Sequence, residues 1–64
     1  MEAYQERVVA EKDEANDRME KLKAFLFTDT FRALPVDEQG RLVRQEFILQ
    51  LYVQVLVERI AAFN

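Results

Sequence analysis

The segment from Phe47 to Val57 constrains the fold most, because nine of its eleven residues are apolar. Its two polar residues, Gln50 and Gln54, recur with Glu46 and Glu58 every four positions, which places them on one narrow line of an α-helix. A helix in a small hairpin needs one apolar stripe, whereas this helix is apolar around most of its circumference. We therefore predict that part of this surface packs against other copies of the chain or against a partner.

The length of the chain, 64 residues, allows a single domain, which we assign to residues 1–64. Chains this short bury little surface and often depend on disulfides, metals or oligomerisation. The sequence contains no cysteine and no histidine, so it forms no disulfide and lacks the usual zinc ligands. We expect no metal site and no cofactor, and self-association is the device that remains.

The charge balance also limits the partners. Nine basic and twelve acidic residues give a net charge of −3, which argues against binding to a nucleic acid polymer or to an anionic membrane. The apolar segment is too short and too closely flanked by charge to span a bilayer. The polar, acidic start of the chain does not resemble a signal peptide, so we expect a cytoplasmic protein.

Two long helices are predicted, one over about residues 2–26 and one over about residues 35–62, joined by a connector at 27–34. The first segment lacks glycine and proline and consists mainly of good helix formers. In the connector, Thr28 or Asp29 can cap a short turn, and Phe31 is expected to pack beneath it. Pro35 suits the first position of the second helix, and Gly40 would allow a close backbone approach.

The predicted fold is therefore all-α: an antiparallel two-helix hairpin with a short helical or turn connector, assembled into a homo-oligomeric bundle. Each helix carries a seam with spacings of three and four residues. The seam of the first helix comprises Tyr4, Val8, Glu11, Ala15, Arg18, Leu22 and Phe25. The seam of the second comprises Leu42, Gln45, Leu49, Tyr52, Leu56, Arg59 and Phe63. A second apolar set on the second helix lies outside its seam, and we predict that it forms the oligomer interface; its members are Phe47, Ile48, Leu51 and Val55. The sequence leaves open whether the oligomer is a dimer or larger.

Catalysis is not expected, and no catalytic residue is assigned. Without serine, cysteine or histidine the chain offers no activated nucleophile with a base. Acidic residues on the first helix, such as Glu11 and Glu14, are typical of a solvated helix surface. Glu14 and Arg18 are spaced to form an ion pair within the helix, as are Asp17 and Lys21.

Polar and aromatic residues near the seams are the candidates for ligand binding. Seam polar residues often fix the register and oligomeric state of a bundle, and that is the simpler interpretation. The alternative is a ligand cavity in which tyrosines stack on a ring, arginines hold phosphates and a glutamine contacts a ring edge. The residues predicted to line it are Tyr4, Arg7, Arg18, Gln45, Tyr52 and Arg59.

A basic cluster is also predicted near the connector end of the hairpin. It comprises Lys21, Lys23, Arg32, Arg41 and Arg44. The simpler interpretation is a solvated face balanced by Glu20, Asp37 and Glu38; an anion site is the alternative.

The pattern resembles a family of very small phage and prophage helical-hairpin proteins, the crAss-phage-type hypothetical proteins. The resemblance covers most of the chain, and its most specific motifs are Leu34-Pro35-x-x-Glu38-Gln39 and Glu58-Arg59-Ile60-x-x-Phe63. In architecture alone, these proteins are similar to the phage anti-CBASS and anti-Thoeris sponge proteins, which oligomerise and sequester signal molecules made by infected bacteria.

This resemblance implies a non-enzymatic phage oligomer in the cytoplasm of the bacterial host. It would bind a cyclic nucleotide or a cyclic ADP-ribose-like immune signal between subunits and so counteract anti-phage defence. The alternative is a helical interaction module that binds or inhibits a host protein through its apolar face.

Overall fold

The computed structural model describes residues 1–63 and consists of helices α1 (Ala3–Phe25), α2 (Asp29–Arg32) and α3 (Val36–Ala61). Helices α1 and α3 pack side by side and antiparallel, so that the Tyr4 and Phe63 rings meet edge to face with their centroids 5.8 Å apart. The hairpin is a narrow rod of 46 × 14 × 13 Å. The all-α class and the hairpin are confirmed, and the assembly of several copies stays a prediction.

Side-chain caps define the ends of α1 and the start of α2. At the start of α1, the Gln5 side chain accepts a hydrogen bond of 2.9 Å from the backbone N–H of Glu2. At the other end, the Thr28 hydroxyl donates to the carbonyl of Phe25 and accepts from the N–H of Phe31. Thr28 therefore closes one helix and opens the next, as expected for a residue that satisfies unpaired backbone groups.

The connector is held by a buried aromatic ring and by one glutamine. Phe31 is buried, as the sequence predicts, and its ring lies edge to face against that of Phe25. Gln39, in the first turn of α3, donates from Nε2 to the backbone carbonyl of Leu34 at 2.8 Å. One expectation is wrong: Pro35 precedes α3 as its cap, with an extended ψ of 146°, and Val36 is the first helical residue.

The core between α1 and α3 is small. Its buried members are Val8, Ala15, Met19, Val53 and Leu56, against which Leu49, Ile60 and Phe63 pack. Leu56 is the most completely buried, with 1% of its surface exposed. The predicted seams are therefore correct only in part, because Val53 joins the core while Glu11, Arg18 and Tyr52 remain outside it.

The polar line of α3 is exposed except at Glu46. Gln50, Gln54 and Glu58 face solvent, whereas Glu46 is buried, a difference that the sequence pattern does not predict. Its Oε1 accepts a hydrogen bond of 2.9 Å from Nε2 of Gln50, which compensates part of the lost hydration. Helical spacing explains the difference, because Glu46 lies one heptad before the core residue Val53.

The opposite side of α3 remains uncovered in a single copy. The predicted interface residues are about half exposed: Phe47, Ile48, Leu51 and Val55. Despite this apolar surface, no helix in the described part of the chain meets the length and hydropathy needed to cross a membrane. The excess apolar surface expected from the sequence is therefore present, and its burial by another copy stays a prediction.

Shortening the central core side chain should destabilise the hairpin. Leu56→Ala removes a fully buried side chain and leaves a cavity, which should lower the free energy of unfolding by about 2–5 kcal/mol. Val57→Ala is the control, because the neighbouring side chain is about half exposed and should change stability by less than about 1 kcal/mol. Urea unfolding followed by circular dichroism measures both; equal losses in the two variants would contradict the assignment of the core.

Replacing the single glycine should have the opposite effect. The expected close approach at Gly40 is wrong, because no heavy atom beyond its helical surroundings lies within 4 Å of an added Cβ. Gly40→Ala should therefore raise the free energy of unfolding by about 0.5–1 kcal/mol, since alanine restricts the unfolded chain and favours the helix. A lower midpoint in the same urea titration would indicate that another copy approaches the backbone there.

Candidate functional site

A shallow groove runs along one side of the hairpin between α1 and α3. Its volume is about 210 Å³, and its walls are formed by Glu11, Glu14, Ala15, Arg18, Leu49 and Tyr52. Ala15 and Leu49 form its apolar floor, while charged side chains and the Tyr52 ring form its rim. The groove thus places an aromatic face, a guanidinium and two carboxylates around one small apolar surface.

Helical periodicity creates this groove. Glu11, Glu14 and Arg18 are three and four residues apart, so they lie on one face of α1 next to the buried stripe. Leu49 and Tyr52 have the same relation on α3 and approach α1 because the helices are antiparallel. Since Ala15 has a short side chain, it leaves space between the two helices that a larger residue would fill.

Two of the six predicted ligand residues, Arg18 and Tyr52, lie in the groove. Tyr4 lies at the open end of the hairpin against Phe63, and its ring is about half exposed. Arg7, Gln45 and Arg59 are exposed and do not line the groove. Their spacing relative to the groove residues places Arg7 and Arg59 on the same side of the rod, further toward its open end.

Two groove residues, Glu11 and Glu14, are absent from the predicted ligand set. Their sequence context is typical of solvated acids on the surface of α1, and both side chains are exposed. The signal that could identify them is their spacing from Arg18, because residues four and seven positions before it lie on the same face of α1. The groove brings both residues to the same rim as Tyr52. Their side chains add acceptors for the amino or N–H groups of a ligand.

Arg18 is available to a ligand. The predicted ion pair between Glu14 and Arg18 is wrong, whereas Asp17 and Lys21 do pair, with 2.9 Å between Oδ2 and Nζ. Within residues 1–63, Arg18 makes no ion pair, and neither do Arg7, Arg44 and Arg59. An unpaired guanidinium presents its N–H donors to a carboxylate or a phosphate without first breaking another contact.

The charge of the groove is nevertheless slightly negative. Two carboxylates and one guanidinium leave a formal charge of −1 on its walls. A ligand with several phosphates would be repelled by Glu11 and Glu14 unless further cations approached. The groove in one copy therefore suits a ring with donor groups better than it suits a polyanion.

The basic cluster near the connector conforms to the simpler interpretation. Lys21 pairs with Asp17, Arg32 with Asp29, and Arg41 with both Asp37 and Glu38. These pairs neutralise three of the five predicted basic residues, and they are exposed to solvent. Lys23 and Arg44 are the two members without an ion pair among residues 1–63, so most of the charge of the cluster is balanced by neighbouring acids.

Comparison with known proteins gives one family. The sequence model of a family described as Sequestin matches residues 2–62, nearly the whole chain, and the chain belongs to this family. The resemblance to small sequestering proteins is thereby confirmed at the level of the family, whose name indicates sequestration. No curated protein and no solved structure matches the chain.

Proposed function

We propose that this member of the Sequestin family binds and sequesters a small nucleotide-like signal molecule without converting it. Membership of the family supports the binding role. The observation that carries the proposal is the position of Arg18 and Tyr52 on opposite walls of one groove. An aromatic ring can stack on a planar base, and a guanidinium can hold a phosphate through two parallel hydrogen bonds.

Each group in the groove has a defined task in this proposal. Tyr52 stacks on a planar ring, and Leu49 and Ala15 provide the apolar surface beneath it. Arg18 donates two parallel hydrogen bonds to a phosphate, in the bidentate geometry that guanidinium groups favour. Glu11 and Glu14 accept hydrogen bonds from amino groups of the base, which favours a purine such as adenine over a ring without exocyclic donors.

The small volume of the groove favours a pocket that is formed by more than one copy. Ligand pockets usually enclose roughly 300–1,000 Å³, whereas this groove offers about 210 Å³. A cyclic nucleotide would therefore remain partly exposed on a single hairpin. A second copy that approached this side would enclose the ligand, and its arginines would offset the repulsion from the carboxylates. Arg7 and Arg59 lie further along the same side, with Tyr4 beside them.

The reaction chemistry of the chain is consistent with sequestration. Serine, cysteine and histidine are absent from the sequence, so acyl or phosphoryl transfer through these nucleophiles is not available. A sequestering protein needs only to hold its ligand for longer than the signalling response lasts. High affinity and slow release are therefore the properties that the pocket must provide.

The ligand that best fits this chemistry is a cyclic nucleotide or a cyclic ADP-ribose isomer. Such molecules combine purine rings with one or two phosphates, and they serve as immune signals in infected bacteria. We place the protein in the cytoplasm of a bacterial host, where a phage-encoded oligomer would lower the free concentration of the signal and so counteract defence.

A second function is favoured by the exposed side of α3. Phe47, Ile48, Leu51 and Val55 form an apolar strip that can also receive the apolar face of a helix from a host protein. In that case the chain is an interaction module that inhibits its partner. Purification from a bacterial lysate separates the two functions: a stoichiometric protein partner supports the module, and a co-purifying small molecule supports sequestration.

Ligand binding should stabilise the folded protein, because a molecule that binds only the folded state shifts the unfolding equilibrium. We expect a cyclic dinucleotide or a cyclic ADP-ribose isomer, tested as a panel at millimolar concentration, to raise the melting temperature. A ligand at one hundred times its dissociation constant contributes about 2.7 kcal/mol. Differential scanning calorimetry measures the shift, and no shift with any member of the panel would contradict the proposal.

Two alanine variants separate ligand binding in the groove from a general effect of the net charge of the protein on affinity. Arg18→Ala should weaken binding of the active ligand at least tenfold, about 1.4 kcal/mol, in isothermal titration calorimetry. Lys23→Ala is the matched control, because Lys23 is an exposed cation of the same helix outside the groove and its loss changes the net charge equally. Equal affinities of the two variants would exclude the groove as the binding site.

A further inference from the structure

The outer face of α3 has an internal symmetry around Leu51. Arg44 and Glu58 each lie seven residues from Leu51, and Phe47 and Val55 each lie four residues from it. Seven residues are close to two turns of an α-helix, so Arg44, Leu51 and Glu58 lie almost on one line. Along this face the cation Arg44 comes first, the apolar Leu51 lies at the centre, and the anion Glu58 comes last. Phe47 lies between Arg44 and Leu51, and Val55 lies between Leu51 and Glu58.

This line lies far from the core of the hairpin. At roughly 100° per residue, Leu51 lies about 140° around the helix from the buried Leu56. Phe47, Leu51 and Val55 are 56%, 49% and 52% exposed in one copy. An apolar surface that continues over two helical turns in so small a protein indicates a contact with another molecule.

From this pattern we propose that the occupant of the face is a second copy of the chain, whose α3 packs antiparallel to the first with Leu51 of both copies at the two-fold axis. Such an interface brings the same surface patch of each copy together. An antiparallel arrangement places Phe47 of one copy opposite Val55 of the other, and Arg44 opposite Glu58. Each dimer then contains two Arg44–Glu58 ion pairs between the copies.

Charge distinguishes this arrangement from the parallel one. In a parallel pair, Arg44 would face Arg44 and Glu58 would face Glu58, and like charges at adjacent positions destabilise helix pairs. Neither Arg44 nor Glu58 has an ion-pair partner among residues 1–63. Within one helix the two residues are fourteen positions apart, about 21 Å at 1.5 Å per residue, so they cannot pair in one copy.

The proposed face borders the groove. Tyr52, which lines the groove, directly follows Leu51 in the chain. Ile48 is four residues before Tyr52, and its side chain lies on the helix surface between Tyr52 and Leu51. The second copy would therefore extend the Tyr52 wall of the groove. The dimer does not depend on the identity of the ligand, so a failure to bind cyclic nucleotides would leave this inference intact.

Charge-reversal variants at Arg44 and Glu58 test whether the two α3 helices pack in the proposed antiparallel register. Arg44→Glu and Glu58→Arg should each weaken self-association about tenfold, because each places like charges opposite one another in the dimer. The double variant R44E/E58R should regain wild-type association, since both pairs are restored with reversed sign. Sedimentation equilibrium measures the dissociation constants, and circular dichroism checks that these exposed substitutions leave the hairpin folded.

A mixture of the two single variants tests the proposed charge pairing between copies most directly. The Arg44→Glu chain carries an acid at both charged positions of the face, and the Glu58→Arg chain carries a base at both. Each acid of one chain would therefore meet a base of the other, so native mass spectrometry should find heterodimers well above their statistical share. A mixture of Glu58→Arg with Lys23→Glu is the control and should show no such preference. Wild-type association in the single variants, no recovery in the double variant, or a statistical mixture would each overturn the proposal.

Discussion

The structure depends on the packing of α1 against α3 through a core of a few side chains. Leu56 lies at its centre, and Val8, Ala15, Met19 and Val53 complete it. This interface uses one stripe of each helix. Since α3 is apolar well beyond that stripe, one hairpin does not cover all of its own apolar surface, and this uncovered surface is the basis of the proposed assembly.

The same packing produces the groove. Ala15 allows α1 and α3 to lie close together at the core while leaving a depression beside it, and the side chains next to the core on each helix become the rim. Arg18 and Tyr52 belong to the predicted seams but lie at the edge of the buried stripe. Their exposure at the rim and their absence from the core have the same geometric origin.

Much of the fold could be predicted from sequence because it follows from local signals. The absence of helix breakers before the connector predicts α1, and the Thr28 cap and the buried Phe31 were predicted from residue type and position. The burial of Glu46 could not be, because it depends on how α3 is rotated about its axis when it meets α1. A seam rotated by one position exchanges Gln45 and Tyr52 for Glu46 and Val53.

Less of the candidate site could be predicted from the sequence, because the site also depends on how each helix is rotated about its axis. The sequence places Arg18 and Tyr52 near the hairpin interface, but a groove arises only when the rotation of both helices and the small size of Ala15 act together. Glu11 and Glu14 were therefore missed as part of the rim. Arg7, Gln45 and Arg59 do not line the groove of a single copy, so a role for them in binding would require the proposed assembly.

The molar mass in solution tests the central claim most directly. One chain has a mass of 7.6 kDa, and size-exclusion chromatography with multi-angle light scattering at micromolar concentration measures the mass of the folded species. The uncovered side of α3 predicts a mass of at least twice that value. A monodisperse, folded species of 7.6 kDa would show that a single copy tolerates its apolar surface in water, and would contradict the account.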